Sequence, residues 1–258
     1  MIFDTHIHLN DKEFINNLDH YISEANKNGV KKFLCVGYDV QSSIQAVEIA
    51  SKYEGVYAAI GVIPTEHKTY DDKTINELEK LLNKNKKIIA IGEIGLDYYW
   101  ENECKIIAKQ KHMFIEQIKL ANKYQLPISI HARNSLNDVF SILKEYPVEK
   151  RGVMHCFSGT YEEALNFISL GFKIAIGGVL TFKNAVNLHQ IAEKCEIKDI
   201  VLETDAPYLA PVPFRGKTNE PKYIAKVLEA YISRVGKEEK LVEETLYNNA
   251  CEIFHVER

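Results

Sequence analysis

The sequence predicts an α/β chain folded as a TIM-type (β/α)8 barrel, and three observations carry that expectation. Eight short, almost continuously apolar runs recur along the chain, separated by segments with helical periodicity. Histidines and carboxylates stand at the ends of five of those runs, where a barrel builds its active site. The length, 258 residues, is that of one barrel domain.

The first run begins at residue 2 and reads Ile-Phe-Asp-Thr-His-Ile-His. Strand alternation puts Asp4, His6 and His8 on one face and Phe3, Thr5 and Ile7 on the other. Helical spacing over residues 11–28 leads to the second run, 32–37, and a helix over 42–53 leads to the third, 56–63. A helix over 74–82 precedes the fourth run, 88–96, in which Ile89, Ile91 and Glu93 share a face. The longest helix, 105–124, sets Ile107, Phe114, Ile115, Ile118 and Leu120 among charged neighbours. The fifth run, 127–133, the sixth, 152–157, and the seventh, 172–180, follow helices ending at 124, 145 and 170. A helix over 185–194 precedes the eighth run, 200–205, and helices over 220–233 and 237–254 close the chain. The runs are rich in β-branched residues, as parallel strands covered on both faces are. A doubly wound open sheet usually has a glycine-rich phosphate turn after its first strand, whereas here that strand ends in His-Leu-Asn. No linker or low-complexity segment divides the chain, so residues 1–258 read as a single domain.

Composition narrows the functional classes. With 46% hydrophobic residues the chain has ample material for a core, which argues against disorder. No apolar run approaches the roughly 20 residues of a membrane span, and the N-terminus lacks the basic start of a secretory signal. The five cysteines are scattered and form no C-x-x-C, so they read as reduced thiols of a cytoplasmic protein. A net charge of −4 argues against a broad electrostatic footprint for nucleic acid, though not against a local one. Nothing points to an obligate protein partner.

His6 and His8, two positions apart, can grip one metal ion, yet H-x-H alone is unspecific. His131, His155, Glu93 and Asp205 are each unremarkable alone as a hydrogen-bonded histidine, a solvated acid or a turn former. Together these six would bury carboxylates without partners, at several kcal/mol or at the cost of neutralisation, unless a divalent metal compensates them. His20, His112, His189 and His255 lie in expected helices and read as packing or solvent-facing residues. Cys156 follows His155 in the same run and is expected to face the opposite way.

Beyond these single residues, longer stretches match a known family. Phe3-Asp-Thr-His-Ile-His8, Gly92-Glu-Ile-Gly-Leu-Asp-Tyr-Tyr99, Pro127-Ile-Ser-Ile-His-Ala-Arg133, His155-Cys-Phe-Ser-Gly159 and Leu202-Glu-Thr-Asp-Ala-Pro-Tyr-Leu-Ala-Pro211 occur in order. In them the chain resembles the TatD-family metal-dependent hydrolases, a branch of the amidohydrolase-like barrels. The resemblance implies two divalent metals, one on His6, His8, Glu93 and Asp205, the other on Glu93, His131 and His155, with Glu93 bridging. It further implies hydrolysis of DNA from an end. One departure stands out: the family often carries G-x-H-P-H after the third strand, and here Gly61-Val-Ile-Pro-Thr65 has Ile63 and Thr65 instead.

From these residues follow a set of expected roles. Asp205 accepts a proton from the attacking water, with Glu93 as the other catalytic carboxylate. Glu203 orients a ligand histidine. The histidine-rich set suits zinc, manganese, cobalt or nickel better than magnesium, although the family's metal use is broader. Arg133 clamps a phosphate, with Arg215 and Lys217 in the loop after the eighth strand. Tyr98, and with it Tyr99 and Trp100, either stacks on bases or packs the rim. The alternative substrates are small amides, lactones or phosphoesters on the same centre. A metal-stabilised scaffold without activity is the non-enzymatic alternative.

Overall fold

A computed structural model describes residues 1–257. Eight parallel strands lie in sequence order: β1 (Ile2–Ile7), β2 (Val30–Val36), β3 (Val56–Ile60), β4 (Ile88–Asp97), β5 (Ile128–Arg133), β6 (Gly152–Met154), β7 (Lys173–Ile176) and β8 (Ile200–Leu202). The helices between them are α1 (Leu18–Lys27), α2 (Val40–Lys52), α3 (Thr74–Leu82), α4 (Cys104–Tyr124), α5 (Leu136–Glu145), α6 (Tyr161–Ser169) and α7 (Val186–Lys194). Two more, α8 (Ile224–Val235) and α9 (Glu239–Ile253), follow β8. This is the TIM-type (β/α)8 barrel that the alternation predicted.

Hydrogen bonds just past the end of β8 draw the sheet together. Asp205 N–H donates to the His6 carbonyl at 3.0 Å, and His8 N–H donates to the Ala206 carbonyl at 2.9 Å. Asp4 ties the same seam, its carboxylate accepting from the Thr204 amide at 2.9 Å and the Thr204 hydroxyl at 2.6 Å.

Side chains alternate between two apolar layers. Leu34, Ala59, Val153, Ala175 and Val201 point into the barrel, while their neighbours Phe33, Cys35, Ala58, Ile60, Met154, Ile174 and Ile200 pack against the helices. Helix α9 stoppers the inner layer at the N-terminal end with Tyr247, helped by Phe254 just past it, whose ring is 5.8 Å from that of Phe3. Asn249 secures this stopper by donating to the carbonyls of Ile197 and Ile200 at 2.7 and 2.8 Å.

Strict alternation fails in two strands. Phe3 belongs to the inner layer and Ile7 to the outer, because the β1–β2 register shifts between Asp4 and Ile7. Ile89 and Ala90 both face inward and Ile91 outward, so Ile91 does not share the face of Glu93; the register of β4 shifts on both of its sides. Several strands are also shorter than their apolar runs. β7 ends at Ile176, and the chain then turns tightly through Gly178–Thr181. The carbonyl of Leu209 lies where a Cβ on Gly178 would stand, 2.1 Å away, so only glycine lets the two segments meet.

Helix α4 sets the ends of two strands. Its buried Gln117 accepts from Val62 N–H at 2.7 Å and donates to the Val62 carbonyl at 3.0 Å. Gln110, two turns earlier on the same face, does the same for Asp97, with both distances 3.0 Å. At the mouth, α6 starts on a reciprocal cap between Thr160 and Glu163. Among the described residues no helix is long and apolar enough to cross a membrane.

Candidate metal centre

The C-terminal ends of β1, β4, β5, β6 and β8 bring His6, His8, Glu93, His131, His155 and Asp205 into one cluster around Glu93, all but fully buried His6 lining a cleft. Glu93 is buried, and its two oxygens face different histidines. Oε2 lies 3.4 Å from His6 Nε2 and 3.9 Å from His8 Nε2; Oε1 lies 2.9 Å from His131 Nδ1 and 3.8 Å from His155 Nε2. Asp205 Oδ1 is 3.6 Å from His8 Nε2 and 3.7 Å from His155 Nε2. The His6 and His155 rings stack with centroids 3.4 Å apart.

Three of the histidines are held from behind. His6 Nδ1 meets Ser129 Oγ at 3.3 Å, His8 Nδ1 meets the Val36 carbonyl at 3.1 Å, and His155 Nδ1 meets Glu203 Oε2 at 2.8 Å. Their Nε2 atoms therefore converge on the carboxylates, which is how proteins present imidazole to a metal. His6 Nε2 is buried and has no hydrogen-bond partner. An orphaned imidazole nitrogen among carboxylates fits a divalent cation. Within 4.8 Å of one another lie ligand atoms of His6, His8 and Glu93, of His6, His155 and Glu203, and of His155, Cys156 and Asp205. Among the described residues His131 belongs to no such set and joins the cluster through Glu93.

Charge balance follows from burial and pairing. Burial raises the Glu93 pKa, but His155 and His6 outweigh it and hold the carboxyl well below the usual range. Asp205 is lowered too, against its burial, by His155 and His8. Burial and the neighbouring His155 depress His6, the ring with the orphaned nitrogen. Burial opposes protonation of His131, yet its bonds to Asp97 and Glu93 push it up to about 9. His155 reaches about 10, because Glu203, Asp205 and Glu93 surround it. The carboxylates thus favour their charged form, and His131 and His155 are drawn towards theirs.

The sequence reading passes over Asp97 and misplaces Cys156. Asp97 Oδ2 accepts from His131 Nε2 at 2.8 Å, so both His131 nitrogens are engaged by carboxylates. Its position in the Gly-Glu-Ile-Gly-Leu-Asp stretch, four residues past Glu93, was the available signal. Cys156 does not turn away: it lines the cleft beside His155 and Asp205. β6 stops at Met154 and Cys156 adopts a left-handed backbone, φ +44°, so strand alternation no longer applies. Asp205 is likewise left-handed, φ +56°, beyond the end of β8. Glu203, fully buried, accepts from His155 and from Cys156 N–H at 2.7 Å.

The cleft holds about 600 Å³ and is lined also by Ile63, Thr65, Trp100, Arg133, Ser158 and Tyr208. Arg133 stacks its guanidinium 3.8 Å above the Tyr99 ring, with Trp100 next to it. Tyr98 does not line this cleft; its hydroxyl donates to Asp138 on α5 at 2.7 Å. Arg215 lies over Phe182 at 4.4 Å, and neither it nor Lys217 is among the residues lining the cleft.

Comparison with known proteins gives a consistent picture. A family model described as TatD related DNase matches residues 3–255. An uncharacterized metal-dependent hydrolase of Bacillus subtilis (strain 168), YabD, is 39% identical over 230 residues, 89% of each chain. The crystal structure of YjjV, a TatD homologue from Escherichia coli K12, has a TM-score of 0.94 at 29% identity, covering 99% of this chain and 98% of that one. A mutant organophosphorus hydrolase from Deinococcus radiodurans shares the fold, with a TM-score of 0.68 at 11% identity, covering 98% of this chain and 92% of that one.

Proposed function

The chain belongs to the TatD family of metal-dependent hydrolases, and from that premise we propose that it is a deoxyribonuclease that cleaves DNA phosphodiester bonds from an end. The reading rests above all on the divided Glu93 carboxylate, whose oxygens face two separate histidine pairs. Two divalent ions fit that division. His6, His8, Glu93 and Asp205 would hold one, and Glu93, His131 and His155 the other. Ions held there supply the positive charge that polarises a phosphodiester and makes a water nucleophilic near neutral pH. The donor set suits zinc or manganese, and magnesium less well.

The side chains have separable tasks. Asp205, ionised and partly open to the cleft, accepts the proton of the attacking water. Glu203 fixes the His155 tautomer, and Asp97 does so for His131. Arg133 offers its guanidinium to a phosphate on the Tyr99 platform, and exposed Trp100 offers a face for a base. Ile63 and Thr65 make one wall of the cleft less polar than two histidines would, which favours small esters or amides as the second reading.

End-labelled single- and double-stranded DNA, incubated with the chain and each divalent metal, tests the proposal. Stepwise loss of terminal nucleotides, abolished in Asp205→Asn, is the expected result. No cleavage by the metal-loaded chain, with rapid turnover of small esters, would overturn it.

A further inference from the structure

A second cavity, of about 300 Å³, opens beside the metal cluster between β7, the turn that follows it and the start of α7. It shares Cys156, Ser158, Asp205 and Leu209 with the catalytic cleft, so the two adjoin across these side chains. Buried Ala175 and Leu188 form part of its inner wall. Val186 and Leu209, 58% and 41% exposed, make an apolar lip, an arrangement that leaves aliphatic surface in water unless something covers it. Exposed Asn184 and Asn187 add amide groups at the same opening.

The chemistry of the lining selects the occupant. No lysine or arginine lines the cavity and buried Glu203 does, so nothing in it offers a phosphate a positive partner. An uncharged group with apolar faces and a hydrogen-bonding edge matches aliphatic walls and two amides. Its volume sits at the small end of ligand sites, roughly 300–1,000 Å³, and suits one compact unit rather than a continuing strand. Resting on the nuclease reading above, we propose that the cavity receives the nucleobase of the terminal nucleotide, leaving its phosphate in the cleft beside Glu93 and Asp205. A pocket that accepts one base and then ends would confine cleavage to DNA ends.

Titration calorimetry of the metal-loaded full chain with deoxyadenosine monophosphate and with deoxyribose phosphate tests the assignment. The nucleotide should bind about tenfold tighter or better, the base being the sole difference. Val186→Asp charges the lip at an exposed position where folding is not at stake, and Ala185→Phe fills the opening. Each should bring the two affinities close to parity, with melting temperatures checked against the parent chain. Equal affinities in the parent, or a base preference that survives both substitutions, would overturn the assignment. Labelled-DNA cleavage separates the two claims. Base preference without DNA cleavage upholds the cavity and sinks the nuclease reading, while cleavage without base preference does the reverse.

Discussion

Replacing Glu203 with glutamine attacks the candidate metal centre from behind while leaving the six candidate ligands in place. Glu203 is fully buried, and its two oxygens accept from His155 at 2.8 Å and from Cys156 N–H at 2.7 Å. Glutamine keeps the shape but has one oxygen and one NH2. If the oxygen stays on Cys156, the NH2 must donate to His155 Nδ1, and the ring's proton moves to Nε2, the atom turned towards the cluster. If the oxygen serves His155, two donors collide at Cys156 in a dry site, costing about 1–3 kcal/mol of stability. The first arrangement avoids that cost, so metal binding bears the loss. Removing such supporting partners weakens metal affinity about 10- to 100-fold, roughly 1.4–2.7 kcal/mol. Competition with a fluorescent chelator measures it, and thermal melting of the metal-free chain tracks stability. Wild-type affinity together with a wild-type melting temperature would refute the role given to Glu203.

Three further outcomes are expected. Gln110→Leu strips both partners from the buried Asp97 backbone and should lower stability by about 1–3 kcal/mol, read as a reduced urea midpoint; an unchanged midpoint contradicts the role assigned to α4. In the metal-free chain, burial opposes but Asp97 and Glu93 push His131 up to about 9, and Glu203, Asp205 and Glu93 push His155 up to about 10. Both lie above the ordinary 6.5, so their stabilisation is complete below about pH 6.5 and is lost as pH rises through about 9–10. Asp4, pushed up to about 8 by burial, acts in the same direction at lower pH. The melting temperature of chelator-treated protein should therefore fall from about pH 6 to pH 10, and a rise over that interval contradicts the pairing. Arg133→Met should raise the DNA KM by about tenfold, as loss of one charged phosphate contact does, with a smaller effect on an uncharged ester; equal effects on both substrates contradict a phosphate role.

Much of the barrel was legible because parallel strands covered on both faces leave a plain signature. Runs such as Val30–Val36 and Val56–Ile60 are apolar over most of their length, and the helices between them keep one apolar stripe. The candidate ligands were legible for a related reason: a histidine or acid that terminates such a run stands at the barrel mouth, where a buried polar group needs a partner. The residues that local patterns misplaced lie on backbone that leaves regular geometry. Cys156 takes a left-handed conformation after a short strand, and counting by two assigned it to the wrong side. Register shifts in β1 and β4 moved Phe3 and Ile91 to faces that alternation denied them. The burial of Gln110 and Gln117 has no signal in helical spacing and becomes visible only when the ends of β3 and β4 arrive beside them. The cavity by α7 joins segments around residues 157, 178, 186 and 209, whose proximity no local pattern encodes.

Counting bound ions tests the two-metal centre most directly. Metal-free chain dialysed against zinc or manganese should take up two ions per chain, and Glu93→Gln, which removes the shared carboxylate, should weaken both sites together. One ion per chain in the parent, or two retained at parent affinity in Glu93→Gln, would contradict a centre bridged by Glu93.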